Sequence, residues 1–211
     1  MRDPRRRVLV TGFGPYPGVP ENVSGDLALA LRRAAQARYA GLSISARVLP
    51  TDWQAGPRAL ADSLAATNPD IALHFGVSKR AKGFLIESVG RNAAKARIDV
   101  AGALPMRRRL VADAPERLSE QVLAPRIAER LGGSGLPATL SRNAGGYLCN
   151  AIYYRSLLAR AREHRRRVVA FVHLPVDFIA GETLSMADAL RGSLAILDCC
   201  LDHGEDTLPR R

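Results

Sequence analysis

The chain contains 211 residues, of which 47% are hydrophobic and 24% are charged, a balance that is typical of a folded globular protein and excludes disorder throughout. Three cysteines are too few for a disulfide framework, and no apolar run approaches the roughly 18 residues that a membrane-spanning helix needs. The net charge of +11 is unusual and raises the hypothesis of a nucleic-acid partner.

Short apolar runs alternate with helical patterns along the chain. The apolar runs predict strands at 8–10, 42–49, 71–76, 84–89, 138–141 and 168–173. The helical patterns lie at 26–37, 54–66, 115–131, 148–164 and 185–201. Pro125 predicts a kink or split in its helix, and Ser185 with Asp188 predicts the N-cap of the last one. The segment 93–115 is predicted to be a long loop.

This alternation defines the expected architecture. Strands that alternate with helices imply βαβ units and a mostly parallel, doubly wound sheet that is covered on both faces. We expect one α/β domain over 1–211, with basic or flexible tails at 1–6 and about 203–211. Ligands of such folds bind at the carboxyl ends of the strands, so candidate site residues are sought there.

A rigid Gly/Pro loop with two aromatic residues, Phe13 and Tyr16, follows the first strand. A dinucleotide fingerprint would need a glycine where Pro17 stands, and no Gly-x-x-x-x-Gly-Lys-Ser/Thr segment occurs, so a phosphate cradle is not predicted. The loop suits a flat apolar ligand at the carboxyl edge of the sheet. The alternative is a structural turn whose aromatic side chains cover the core.

A cysteine and a histidine are predicted to meet at this edge. Cys149 falls in the first turn of a helix, where backbone N–H groups and the helix dipole stabilise a thiolate. His173 ends the strand that follows, and in a parallel sheet the start of one helix and the end of the next strand lie at the same edge. A thiol beside an imidazole is the minimum for an activated nucleophile. The alternatives are a small core cysteine and a structural histidine.

A carboxylate, Glu87, lies within the apolar strand 84–89. A buried glutamate usually has a partner, and orienting His173 would provide one by the logic of a catalytic triad. The alternative is a salt bridge to Arg91 or Arg97. No metal site is predicted, because the histidines show no ligand spacing and the cysteines form no Cys-x-x-Cys pair.

Four segments resemble the pyroglutamyl peptidase I (pyrrolidone-carboxylate peptidase) family of cysteine peptidases, in the order of the family. They are 8–13 with Pro15-Tyr16, 86–89 with Asn92 and 96–98, Ala144-Gly145 with 147–150, and 171–175. The resemblance spans about residues 8 to 200. It implies a three-layer α/β/α sandwich, a homo-oligomer that is often a tetramer, and hydrolysis of an N-terminal pyroglutamyl residue from peptides without a cofactor.

The resemblance also implies a role for individual residues. Cys149 would be the nucleophile, His173 the general base and then acid, and Glu87 the orienting carboxylate. The lactam ring would lie between Phe13 and Tyr16, with Ile98 and Leu148 lining the pocket. Arg97 and the backbone N–H of Cys149 would stabilise charge on the reacting oxygen.

Three loops depart from the family pattern, at Val23, at 77–82 and at 99–102. They leave the three catalytic candidates in place, but they lie near the pocket or near subunit contacts. A thiol hydrolase of the same fold that acts on another cyclic or blocked amide therefore stays an alternative.

The charge and the amino terminus add two further expectations. The basic runs at 5–7, 107–109, 165–167 and 210–211 carry no interleaved aromatic residues, and only three of the 31 basic residues are lysines. This pattern favours a solvated surface over a nucleic-acid or membrane partner. The apolar stretch after the basic start is too short for a secretory signal, so we expect a cytoplasmic protein with reduced thiols.

Overall fold

The computed structural model describes residues 6–163, 167–178 and 184–206. The strands are β1 (Arg7–Phe13), β2 (Ser43–Leu49), β3 (Ile71–Val77), β4 (Phe84–Glu87), β5 (Val89–Arg91), β6 (Arg117–Ser119), β7 (Ala138–Ser141) and β8 (Val168–Leu174). The helices are α1 (Val23–Arg38), α2 (Ala55–Thr67), α3 (Leu123–Gly133), α4 (Leu148–Arg162) and α5 (Met186–Asp206). Most predicted elements are therefore present, with boundaries that differ by a few residues.

The central sheet has six strands in the order β2-β1-β3-β8-β4-β7. The first four strands in this order pair in parallel. β4 pairs antiparallel with β8 and parallel with β7, so the last two strands run the opposite way. The sheet is mixed and mostly parallel, and the prediction of an α/β fold is confirmed.

Helices cover both faces of this sheet and produce two separate apolar layers. Residues of α1, α3 and α5 pack on one face in a cluster that includes Leu27, Ile127 and Leu197. Residues of α2 and α4 pack on the other face, where Leu60 and Ile152 meet the sheet. Helices on both faces leave β3 and β8 buried along their whole length, and apart from one histidine in each they are built from apolar residues and glycine. The result is the three-layer α/β/α arrangement.

The segment around Ser88 differs from the prediction of one strand over 84–89. The Ser88 N–H and hydroxyl both bond to the Ser141 carbonyl, and the Glu120 N–H donates to the Ser88 carbonyl. The chain therefore leaves the central sheet at Ser88 and enters a two-stranded sheet formed by β5 and β6.

The predicted helix over 115–131 is wrong in its first half. Residues 117–119 form β6, and α3 begins only at Leu123. Pro125 is the third residue of that helix rather than a kink within it. Proline is tolerated there because the N–H groups of the first helical turn have no acceptor within the helix.

Residue 6 and residues 203–206, which were expected to belong to the tails, are part of the described fold. Arg6 is buried and its guanidinium donates to the Leu201 carbonyl over 2.7 Å. Helix α5 continues through Asp206, and the Ser185 hydroxyl accepts the Asp188 N–H as an N-cap does. The rest of both tails, 1–5 and 207–211, lies outside the described residues. In the described part of the chain, no helix has the length and apolar character to cross a membrane.

Candidate active site

The site forms where β3 and β8 end. Gly76 of β3 pairs in register with His173 of β8, and the thiol of Cys149 lies directly above this pair. A Cβ atom added to Gly76 would lie 2.9 Å from the Cys149 Sγ and 3.1 Å from the Phe171 ring. Only glycine therefore leaves room for the thiol at this point of the sheet.

Helix α4 carries Cys149 in its first turn, and hydrogen bonds of the Asn150 side chain hold that turn in place. The Asn150 amide donates to the Arg91 and Ala93 carbonyls over 2.8 and 2.9 Å and accepts the Arg91 N–H over 2.9 Å. Gly145 in the preceding loop has φ +82°, a conformation that favours glycine. The half-buried thiol thus lies at the N-terminus of helix α4.

His173 connects the thiol to a carboxylate. Its ring is buried, hydrogen-bonds to the Cys149 side chain, and contacts the Glu87 Oε1 through Nδ1 at 2.8 Å. Leu85 is the direct partner of His173 across the β4–β8 pair, and Glu87 faces Phe171. Glu87 therefore lies on the same face as His173, two residues along, and reaches it diagonally.

The predicted neighbourhood of Cys149 and His173 is confirmed, but one premise behind it is wrong. The strand before Cys149, β7, runs antiparallel to β8, so its carboxyl end does not lie at the carboxyl edge of β8. The loop 142–147 brings the start of α4 to that edge instead. The alternative ion pairs of Glu87 with Arg91 or Arg97 do not occur among the described residues, where its carboxylate bonds to His173.

The electrostatic environment of His173 favours its protonated form. Burial alone would lower the pKa of the ring. The negative charge of Cys149, the hydrogen bond to Cys149, and the bond and charge of Glu87 act against burial and raise the pKa from 6.5 to about 9. The His173 ring therefore carries a proton near neutral pH.

A cavity of about 450 Å³ opens beside the thiol. Its lining contains the predicted residues Phe13, Tyr16, Arg97 and Leu148 together with Cys149 and His173. The rest of the lining was not assigned to the pocket residue by residue, although the cysteine motif and the loop 77–82 were expected near it: Asn22, Thr51, Val77, Ser78, Lys79, Arg80, Lys95 and 143–147. The position of Tyr147 next to Leu148 was a usable signal, whereas Thr51 and Asn22 reach the cavity only through the tertiary fold.

Aromatic and cationic side chains form one wall of the cavity. The Tyr147 ring lies 5.9 Å from the Tyr16 ring and meets Trp53 edge-on at 5.3 Å. The Arg97 guanidinium lies 4.7 Å from the centre of the Tyr147 ring and 5.5 Å from that of Tyr16, within range of cation–π attraction. This wall presents tilted aromatic rings with one positive charge on them.

The loop that follows Arg97 is tied to the start of α2. The Trp53 indole donates to the Arg97 carbonyl, and the buried Asp99 carboxylate accepts the N–H groups of Trp53, Ala101 and Ala103. Ile98, predicted to line the pocket, is half exposed and is not among the residues that line the cavity. Its carbonyl accepts the Tyr147 hydroxyl over 3.1 Å.

A thiol, an imidazole and a carboxylate in series, at the mouth of a cavity and on an α/β scaffold, are the arrangement of a cysteine hydrolase. Sequence comparison gives the family. A family model for pyroglutamyl peptidase matches residues 6–196. A pyrrolidone-carboxylate peptidase of Streptomyces coelicolor is 34% identical over 172 residues, which cover 80% of this chain and 77% of the relative.

Solved structures agree with this assignment. A mutant pyrrolidone carboxyl peptidase from the hyperthermophile Pyrococcus furiosus matches with a TM-score of 0.84 at 27% identity, over 93% of this chain and 99% of that one. Pyroglutamyl peptidase I of Bacillus amyloliquefaciens matches with a TM-score of 0.83 at 25% identity, over 94% and 98%. The chain belongs to the pyroglutamyl peptidase family.

Proposed function

We propose that this chain hydrolyses the amide bond that follows an N-terminal pyroglutamyl residue, with Cys149, His173 and Glu87 as the catalytic residues. The observation that carries the proposal is the unbroken hydrogen-bonded series from the Cys149 thiol through His173 to Glu87. Membership of the pyroglutamyl peptidase family supports the choice of substrate.

The first half of the reaction makes a thioester. The Cys149 thiolate attacks the carbonyl carbon of the pyroglutamyl group, and the carbonyl oxygen becomes an oxyanion that the Cys149 N–H and Arg97 stabilise. When the C–N bond breaks, the electron pair goes to the leaving nitrogen, which takes its proton from His173. The raised pKa of His173, about 9, supports this part, because the ring holds a proton at neutral pH.

The second half regenerates the thiol. His173, now neutral, takes a proton from a water molecule that attacks the thioester carbonyl. The tetrahedral intermediate collapses, the C–S bond breaks, and pyroglutamate leaves. Glu87 holds the ring with its Nδ1–H directed at the carboxylate, so that the other ring nitrogen faces the thiol, and stabilises the imidazolium form.

Recognition of a lactam calls for an apolar slot with few polar groups. Pyroglutamate has no free amine, so an acidic side chain that binds an ammonium group would have no partner. Phe13 and Leu148 offer apolar surface, and Tyr16 offers a ring face beside the thiol. Ile98 would contribute from the loop over the cavity, through a movement of its half-exposed side chain.

The direct test is release of a fluorophore from a pyroglutamyl conjugate. We expect turnover by the wild-type chain and a loss of at least about a thousandfold in Cys149→Ala. The matched control is Cys199→Ala, since Cys199 lies on α5, buried in the apolar layer with α1 and α3, and does not line the cavity. Equal rates for the wild type and Cys149→Ala would contradict the proposal.

We further propose that the protein works in the cytoplasm as a homo-oligomer. All three cysteines are free thiols, which fits a reducing compartment. The loop after Arg97 exposes Val100, Leu104 and Met106, an apolar surface of the kind that a second copy covers. A monomeric mass in analytical ultracentrifugation would contradict the oligomer.

A further inference from the structure

The mouth of the cavity is strongly basic. Four cationic side chains line it, those of Lys79, Arg80, Lys95 and Arg97, and no aspartate or glutamate belongs to the lining in the part of the chain that the structure describes. All four residues are exposed, and none forms an ion pair with a described residue. The two cavity-lining lysines are two of only three in the chain. Within 6–163, 167–178 and 184–206, these four cations around the reacting thiol therefore have no carboxylate partner.

The turn that carries Lys79 is fixed next to His173. The Ser78 N–H donates to the Leu174 carbonyl over 2.9 Å, and Leu174 directly follows His173. The Ala81 N–H donates to the Ser78 carbonyl over 3.0 Å and closes the turn. The Arg80 guanidinium donates to the Asn143 carbonyl over 2.6 Å, which joins this turn to the loop before Cys149. Lys79 therefore lies in a turn that these hydrogen bonds hold in a fixed position.

Lys95 approaches the same mouth from the other side. Its N–H donates to the Gly146 carbonyl over 2.8 Å, and its aliphatic stem packs so closely on Gly146 that an added Cβ there would lie 2.5 Å from it. The ammonium group remains exposed, as is usual for a lysine whose stem covers a surface.

The chemistry decides which part of the substrate faces this charge. In the proposed reaction the lactam lies against Phe13 and Tyr16, and the leaving nitrogen must come within reach of His173 to receive its proton. The residue that follows the pyroglutamyl group therefore leaves the thiol on the His173 side, where the turn with Lys79 lies. Its side chain is the first part of the peptide to enter the field of the basic mouth.

We propose that the basic mouth formed by Lys79 and Lys95 selects an acidic side chain on the residue after the pyroglutamyl group, so that the preferred substrates begin pyroglutamyl-glutamate or pyroglutamyl-aspartate. The inference rests on the proposed pyroglutamyl peptidase activity. It adds a specificity that the catalytic series itself does not supply, because attraction between opposite charges discriminates a carboxylate from its amide.

The experiment compares two amidated peptides that differ only in this residue, pyroglutamyl-Glu-Ala-amide and pyroglutamyl-Gln-Ala-amide. We expect kcat/KM to favour the glutamate peptide by about three- to tenfold at low ionic strength, as for charge pairs near a surface. The ratio should approach one at about 1 M salt, where the screening length is about 3 Å. It should also fall towards one in Lys79→Gln/Lys95→Gln.

The matched control is Lys82→Gln, which removes the remaining lysine, exposed and outside the cavity lining. The control should keep the wild-type ratio. A wild-type ratio of one at low salt, with both peptides cleaved, overturns the inference and leaves the proposed function standing. A preference that persists in the double variant overturns the assignment to these lysines. Cleavage of neither peptide contradicts the proposed function, and the inference with it.

Discussion

Two histidines on neighbouring strands, His74 of β3 and His173 of β8, are both deeply buried, but at neutral pH the first is uncharged and the second is positively charged. Both are almost fully buried on the face that α4 covers. His74 bonds to two hydroxyl groups, Thr11 at 2.8 Å and Ser156 at 2.9 Å. Burial, with a smaller contribution from the charge of Arg167, lowers its pKa to about 3. The pKa of His173 is raised to about 9.

The partners of a buried imidazole therefore decide whether it is charged. Desolvation favours the neutral ring at both places, and hydroxyl groups do nothing to reverse that preference. At His173, Cys149 on one side and the Glu87 carboxylate on the other do reverse the preference for the neutral ring. One histidine is therefore a neutral structural bridge, and the other is a proton carrier.

The largest expected effect comes from removing the carboxylate next to His173. Glu87→Gln keeps an oxygen that can accept the Nδ1–H but removes the negative charge. We expect kcat/KM on a pyroglutamyl substrate to fall about 10⁴-fold, the scale seen when the third member of a triad is replaced. Histidine NMR should show a lower pKa for His173, because the attraction of Glu87 is gone.

The control for this variant is Glu120→Gln, which alters another buried glutamate. Glu120 pairs with Arg160 and caps α3 by accepting the Val122 and Leu123 N–H groups over 3.3 and 3.2 Å. We expect a loss of stability of about 1 kcal/mol and unchanged kinetics per folded molecule. A similar loss of activity in both variants would mean that Glu87 acts through stability alone.

The second prediction concerns acid denaturation. The pKa of His74 is depressed in the folded state, so between pH 6.5 and about 3 the unfolded chain binds the proton and the folded chain does not. Stability should fall by about 1.4 kcal/mol for each pH unit below 6.5 on this account. His74→Gln should flatten that dependence, measured as urea midpoints between pH 7 and pH 4.

Activity provides the other half of this test. His74 lies outside the cavity lining, so the folded His74→Gln variant should retain turnover within about twofold. Stability that falls just as steeply with pH in the variant would show that other groups dominate acid denaturation. His173 acts in the opposite direction: the stability that its protonation provides is complete below pH 6.5 and is lost as the pH rises through about 9.

The smallest of the three effects is expected from Gly76→Ala. The new methyl group would lie 2.9 Å from the Cys149 Sγ, so the thiol must move from its position next to the methyl group. We expect a loss of about tenfold in kcat/KM, since small displacements of a reacting group are costly. Gly132→Ala is the control, because an added Cβ there meets open space. Full activity in Gly76→Ala would show that the thiol tolerates the shift.

The sequence predicted the elements better than their directions. The apolar runs that became β1, β3 and β8 are buried on both faces, so local pattern alone identifies them. The direction of β4 and β7 depends on how the loops before and after them cross the sheet, and no local alternation encodes that. Cys149 and His173 are nevertheless close together, as predicted, because the loop 142–147 returns the chain to the carboxyl edge of β8.

The candidate site was predictable where its residues follow strands or start helices. Phe13, Cys149 and His173 are such residues, and the cavity lining contains all three. Thr51 enters the lining after β2, where a lone hydroxyl in a loop carries no sequence signal. Ile98 was assigned to the lining by resemblance and lies half exposed, since its loop is anchored through Asp99 and Trp53 instead.

Helix α4 is attached to the sheets by three polar side chains spaced three residues apart on one face. Asn150 bonds to β5, the Tyr153 hydroxyl donates to the Glu87 carbonyl over 2.9 Å, and Ser156 bonds to His74. Apolar side chains allow a packed helix to slide or roll by a fraction of a turn, whereas hydrogen bonds at three levels permit neither. The strands that carry Glu87 and His74 therefore fix the rotation of α4 about its axis. They thereby also fix the direction in which the Cys149 sulfur points.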